Sequence, residues 1–180
     1  RLYVTSLFGG GTDNGDSVAV IDTTTDTVLR TITLGAYAAV QPNGIAVDAV
    51  RNKLYVAYSN LDKLGIVDLT NDSITEVAVG DNPIGVALGP RGRGVYVTNN
   101  AAGTVSVVDP DLATVTATIT VGTNPTGVEA DNDTRRVFVA NTGSSTVSVI
   151  GRDNSVRTVD LPAGAAPEGI SVSEGRVAVS

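Results

Sequence analysis

The chain has 180 residues and carries 19 acidic against 12 basic side chains, for a formal net charge of −7. It contains no Cys, His, Met or Trp, which excludes Cys/His zinc, copper and haem ligation and any nucleophilic site that needs an imidazole base. The acidic balance argues against nucleic acid, whose phosphates call for clustered Lys and Arg, and no apolar run approaches the roughly 20 residues needed to span a bilayer.

In chain order the apolar runs are short and alternate. Leu2-Tyr3-Val4 comes first, then Val18 to Ile21 and Val28 to Leu34. Pro42-Asn43-Gly44 then opens Ile45 to Val47, followed by Leu54 to Val56, Leu64 to Val67 and Ile74 to Val79. Pro83-Ile84-Gly85 opens Val86 to Leu88, then Val95 to Val97, Val105 to Val108 and Val115 to Val121. Pro125-Thr126-Gly127 opens Val128 to Ala130, then Val137 to Val139, Val147 to Ile150 and Val156 to Leu161. Pro167-Glu168-Gly169 opens Ile170 to Val172, and Val177 to Val179 ends the series. The Pro-x-Gly triplets stand 41, 42 and 42 residues apart. Val, Ile and Thr at period two, punctuated by Gly, Asn, Asp and Pro, predict strands, and no stretch keeps helical periodicity over three turns. Four short strands in a unit of about 42 residues predict a propeller blade.

Tyr96-Val97-Thr98-Asn99, then Gly103-Thr104-Val105-Ser106-Val107-Val108-Asp109 and Ala117-Thr118-Ile119-Thr120-Val121-Gly122, resemble the YVTN-repeat family over almost the whole chain. Variants of the tetrad stand at Tyr3 to Ser6, Tyr55 to Tyr58 and Phe138 to Asn141. Ser6 and Tyr58 replace its Asn, and Gly151 replaces the Asp found at Asp22, Asp68 and Asp109. The resemblance implies a β-propeller of surface-layer or other secreted prokaryotic proteins, and it brings no catalytic residues with it.

The expected fold class is therefore all-β, a β-propeller of four-stranded antiparallel blades with about four blades in this chain. Strands 2-3-4 fall in residues 1–41, whole blades in 42–82, 83–124 and 125–166, and strands 1-2 in 167–180. The expected context is a larger ring of which this chain is an excerpt. Self-association through the terminal strands ranks second, and a closed four-blade ring, with Ile170 to Val172 beside Leu2 to Val4, third.

Blade topology puts the 2-3 and 4-1 connections on one face. Two insertions depart from the repeat there, residues 7–16 with Phe8 and residues 35–41 with Tyr37. Phe8, Tyr37, Tyr58, Asn99 and Asn141 are the candidate binding residues, since function is usually added where loops break a repeat. The plainer reading is that Phe8 and Tyr37 cover the end of the blade. The opposite face interleaves Arg51, Lys53, Arg91, Arg93, Arg135, Arg136 and Arg176 with acids. A face of mixed sign reads as solvated, with ion pairs worth about 0–1 kcal/mol each.

Asp13 and Asp16, around Asn14-Gly15, offer oxygen ligands that would suit Ca²⁺, although an ordinary hairpin turn explains them more simply. Glu129 stands where the other inner strands have Ala46, Ala87 and Ser171, and Glu168 just precedes its strand. Both are expected near the hydrated central channel, where paired carboxylates serve acid-base work or hold a cation. Asn71-Asp72-Ser73 and Asn132-Asp133-Thr134 match the glycosylation sequon.

The expected function is a non-enzymatic binding or structural module, extracellular or at the cell surface, that contacts a protein or a cell-surface glycan. One alternative is a propeller enzyme, a lactonase-like hydrolase or lyase using Ca²⁺ or the channel carboxylates. Another is a structural protein that self-assembles through open edge strands. No cofactor is expected, Ca²⁺ being the one ion that the oxygen ligands would suit.

Overall fold

The computed structural model describes residues 1–6, 16–34, 40–173 and 175–180. The described strands are β1 (Leu2–Ser6), β2 (Ser17–Asp22), β3 (Thr27–Thr33), β4 (Pro42–Asp48), β5 (Lys53–Tyr58), β6 (Lys63–Asp68), β7 (Ile74–Ala78), β8 (Pro83–Leu88), β9 (Val95–Asn99), β10 (Thr104–Asp109), β11 (Thr114–Thr120), β12 (Pro125–Asp131), β13 (Arg136–Asn141), β14 (Thr146–Ile150), β15 (Val156–Asp160), β16 (Ile170–Ser173) and β17 (Arg176–Val179). One short 3-10 turn, Pro90–Gly92, precedes β9. The chain is all-β. Three four-stranded antiparallel sheets, β4 to β7, β8 to β11 and β12 to β15, stand between a three-stranded sheet β1 to β3 and the hairpin β16–β17. Among the described residues β16 pairs with β17 and not with β1. The closure that would set Ile170 to Val172 beside Leu2 to Val4 is thus not formed.

The sheets stack side by side with their innermost strands adjacent, β4 against β8, β8 against β12 and β12 against β16. The Pro-x-Gly triplet explains how they approach so closely. Pro42, Pro83 and Pro125 are the first residues of the inner strands, where a missing N–H costs no ladder bond. A Cβ on Gly44, Gly85 or Gly127 would run into the carbonyl oxygen of Ile84, Thr126 or Glu168 respectively. Each of those oxygens belongs to the middle residue of the next triplet. Only glycine lets one inner strand lie against the next, and at Gly127 the approach is closed by its N–H donating to Glu168 O at 2.9 Å.

Three apolar layers fill the gaps between sheets. Val18, Val20, Ile32 and Leu34 meet Leu54, Val56 and Val67 between the first and second sheets. Tyr55, Leu64 and Ile66 meet Val95, Val97 and Val108 in the next gap. Tyr96, Val105 and Val107 meet Val137, Val139 and Ile150 in the third. Period two sends Leu54 and Val56 to one neighbour and Tyr55 to the other. That is why these strands are apolar on both faces. Burying each such Val or Leu contributes about 1.5–3 kcal/mol.

The tetrad adds polar latches to this packing. Thr98 Oγ1 donates to Thr126 O of the next sheet at 2.7 Å, and Thr5 Oγ1 donates likewise to Asn43 O at 3.4 Å. Ala140 has no hydroxyl, and there Thr142 Oγ1 reaches Pro167 O at 2.7 Å instead.

Candidate functional site

The 2-3/4-1 face places its expected binding residues unlike the sequence reading. Phe8, Tyr37 and Asp13 lie outside the described residues. Asn99 and Asn141, expected as surface contacts, are fully buried, because strands β9 and β13 run through them and turn their side chains inward. Asn99 Oδ1 accepts from Gly80 N at 3.1 Å, and its amide donates to Thr104 Oγ1 at 3.0 Å and Ser106 Oγ at 2.9 Å. Asn141 repeats the arrangement with Gly122, Thr146 and Ser148. Both tie the 4-1 connection to their own sheet. Tyr58, at the same repeat position, is also fully buried. Its ring occupies the space a side chain on Gly65 would need, and Gly65 stands where the other sheets have Ser106 and Ser148. These three corrections have one cause: the last residue of a second strand faces the sheet interior.

Asp16, expected as a metal ligand, is buried. Its Oδ2 accepts from the amides of Val40 at 2.6 Å and Gln41 at 3.0 Å, and Asp62 accepts from Asn82 N in the same way at 2.8 Å. A role repeated in two sheets is structural, which corrects the metal expectation for Asp16. Among the described residues no three Asp or Glu carboxylates converge on a cation position. Glu129 lies on inner strand β12 with its side chain exposed, and partial desolvation raises its carboxyl above the usual range. Glu168 is exposed on the adjoining stretch of inner wall, its carbonyl held by Gly127 N.

A concavity lies on the opposite face, between the β8–β11 and β12–β15 sheets. It is a pocket of about 130 Å³ lined by Pro90, Arg91, Arg93, Tyr96, Arg135, Val137, Gly151 and Arg152. Four of the chain's 12 basic residues thus share one pocket. Arg91 and Arg93 come from the β8–β9 hairpin, Arg135 from the β12–β13 hairpin and Arg152 from the β14–β15 turn. Among the described residues the ion pairs are Arg30–Asp72, Arg51–Asp48, Arg51–Asp111 and Lys63–Glu76, and none involves these four. Repulsion from Arg91 first, then Arg152 and Arg93, pulls the Arg135 guanidinium below its ordinary pKa.

Two carboxylates of the same sheet, Asp131 and Asp153, are engaged in turns. Asp131 accepts from Asp133 N and Thr134 Oγ1, and Asp153 accepts from the amide and hydroxyl of Ser155. Arg91, Arg93 and Arg152 are exposed, in keeping with a solvated face, and Arg135 is half-buried. Arg152 was missed because it lies in a 3-4 turn, whereas the other arginines of the pocket lie in 1-2 hairpins. The signal for it was Gly151, the place where the repeat loses its Asp.

With the geometry in hand, the chain can be set beside known proteins. No family model matches it, and no curated protein matches it. Solved structures do. Kuenenia stuttgartiensis hydrazine synthase is 25% identical with a TM-score of 0.71, over 79% of this chain and 42% of that one. Virginiamycin B lyase from Staphylococcus aureus is 14% identical with a TM-score of 0.76, over 88% of this chain and 54% of that one. The fold is that of a β-propeller. Dihydro-heme d1 dehydrogenase NirN is 16% identical with a TM-score of 0.70, over 88% of this chain and 35% of that one. This propeller chain thus spans about half or less of the solved chains it resembles.

Proposed function

We propose that this propeller, of YVTN-repeat type, is a non-enzymatic binding module that works outside the cell or at its surface on a protein or a cell-surface glycan. The carrying observation is how its polar groups divide. Those that recur from blade to blade are consumed internally: Asn99 and Asn141 within their sheets, Thr98 in a latch to the next sheet, Asp131 within its turn. Those that break the repeat, Arg91, Arg93, Arg135 and Arg152, line one open pocket. Scaffold and contact surface are thus separate sets of residues, as in repeat proteins that bind.

The test is saturable binding of the labelled chain to an array of prokaryotic surface glycans and to immobilised surface proteins. A parallel incubation with cyclic ester substrates, with and without Ca²⁺, looks for turnover. Binding without conversion is the expected result, and Ca²⁺-dependent ring opening would overturn the reading. The raised carboxyl of Glu129 on the inner strand β12 favours one second reading, a propeller enzyme with Glu129 as its acid and Glu168 as the second channel carboxylate. Loss of any such turnover in Glu129→Gln is its check.

A further inference from the structure

We propose that the four-arginine pocket is a binding site for a multiply charged oxyanion, a phosphate or sulfate ester. This rests on the binding-module reading and names the ligand class of that module. The first ground is composition set against place. In a chain of net charge −7, four guanidinium groups meet at one pocket and none has an ion-pair partner among the described residues. Holding like charges together costs free energy, and an anion between them removes that cost. Guanidinium is suited to the task, since its planar fork matches two oxygens of a phosphate or sulfate at once.

The second ground is the repeat itself, which loses two of its carboxylates where the arginines gather, while Asp131 and Asp153 stay engaged in their own turns. The first-strand end carries Asp48 in one whole sheet and Asp131 in another, but Gly89 in the sheet that bears Arg91 and Arg93. The third-strand end carries Asp22, Asp68 and Asp109, but Gly151 beside Arg152. Gly151 itself lines the pocket, and Gly89 precedes the lining residue Pro90. Steric need accounts for Gly89, since a Cβ there would strike the Arg93 carbonyl and the Tyr96 ring. At Gly151 a Cβ would come within 2.8 Å of Ser155 Oγ and 2.9 Å of Asp153 Oδ1, so an acid fits there only if those two side-chain ends turn aside.

The third ground is backbone conformation. Arg91 and Arg135 both sit in the left-handed region, at φ 59° and φ 58°. Asn52 occupies the Arg135 position in the β4–β5 hairpin at φ 53°. Asn tolerates this region far better than Arg, so arginine is present at a conformational cost. The Arg91 turn is pinned across the blades by Arg91 N donating to Asn132 Oδ1 at 2.7 Å. The buried Tyr96 ring and Val137 give the pocket a low-dielectric floor, which strengthens attraction to an anion above it.

The test is isothermal titration of the full chain with inorganic pyrophosphate, and separately with a sulfated disaccharide, each against sodium chloride of equal ionic strength. The expected result is one-to-one saturation by at least one probe. Affinity should fall at least ten-fold in Arg135→Gln and be lost in Arg91→Gln/Arg152→Gln, with Arg176→Gln on β17 unchanged. Arg135→Lys, which keeps the charge and loses the fork, should fall between wild type and Arg135→Gln. Pyrophosphate alone points to a phosphate source, the disaccharide alone to a sulfated glycan, and both to a site that reads charge. No saturation by either probe overturns the inference, as does an equal loss in Arg176→Gln. Circular dichroism on each variant separates lost binding from lost folding. If Arg135→Gln binds no probe differently from wild type yet still binds the surface array, the oxyanion inference fails and the binding-module reading stands.

Discussion

The β4–β7 sheet and the pair β8–β11 and β12–β15 are built from one repeat, yet they differ at both ends. On the hairpin face, Arg51 donates to Asp48 at 2.9 Å, to Asp111 at 3.1 Å and to Gly92 O at 3.3 Å. That cation is closed by carboxylates from its own hairpin and the next sheet. One blade further on, Gly89 stands at the Asp48 position and Asp153, at the Asp111 position, is bound to Ser155, and Arg91, Arg93, Arg135 and Arg152 form no ion pair among the described residues. On the opposite face, β4–β7 fills with Tyr58 over Gly65 the space that the other two sheets fill with an Asn–Ser hydrogen bond. In β4–β7 the tyrosine hydroxyls find no partner among the described residues. Burial, with Asp48 adding repulsion, pushes Tyr55 up to about 12. The contrast teaches that a blade keeps its backbone while its ends are refitted in coupled groups, by packing at one end and by charge at the other.

The largest effect is expected at the buried asparagines. Asn141→Ala strips three hydrogen bonds from a buried cluster and should cost about 2–4 kcal/mol, read by urea unfolding. A cost below that of an average surface substitution would mean that the Asn–Ser pair does not hold the 4-1 connection. Next is a double-mutant cycle at the other solution. Tyr58→Asn leaves a cavity and an unpaired amide, and Gly65→Ser collides with the Tyr58 ring. Together they rebuild the Asn–Ser pair, so a favourable coupling of about 1–3 kcal/mol is expected, and additive losses would refute the coupled-refit view.

Gly151→Asp restores the carboxylate of the repeat at the open pocket. It should weaken pyrophosphate binding about ten-fold, a change of about 1.4 kcal/mol, with the fold intact by circular dichroism. The two faces of the charge contrast should then differ in sign. Arg51→Gln removes a partner shared by two carboxylates and should cost about 1 kcal/mol. Arg135→Asn relieves repulsion and suits the left-handed backbone, so its thermal midpoint should rise slightly. Equal signs would abolish the distinction between a closed and an open cation.

The last prediction concerns acid. Burial alone would raise the Asp48 carboxyl, but the amides of Arg51 and Val50 and the Arg51 guanidinium hold it below the usual range. Turn amides and hydroxyls hold Asp68, Asp109 and Asp131 low as well. Depressed carboxylates stabilise the fold above their unfolded value of about 4 and lose that contribution as pH falls through the folded value. Thermal midpoints should therefore be flat from neutral pH down to about 5 and fall below about 4. Asp48→Asn should soften that fall.

The strands were legible because β-branched residues at period two leave little alternative, and the triplet marked every innermost strand. The charge of single loops was legible as well. What misled the sequence reading was the reach of the strands. Asn99 and Asn141 look like loop residues beside turns, yet each ends a strand with its side chain inward, a fact fixed by register with Thr104 and Thr146. Asp16 looks like a ligand beside Asn-Gly, yet its partners are the amides of Val40 and Gln41, 24 and 25 residues away.

By itself the sequence determined the all-β class, the blade period and the positions where the repeat is broken, because alternation, turn residues and glycine placement are local properties. Which broken positions meet was decided only by tertiary structure. Arg91 and Arg152 are separated by a whole blade in the chain. They share a pocket because Gly85 lets inner strand β8 lie against β12, and that approach sets the β8–β9 hairpin beside the β14–β15 turn.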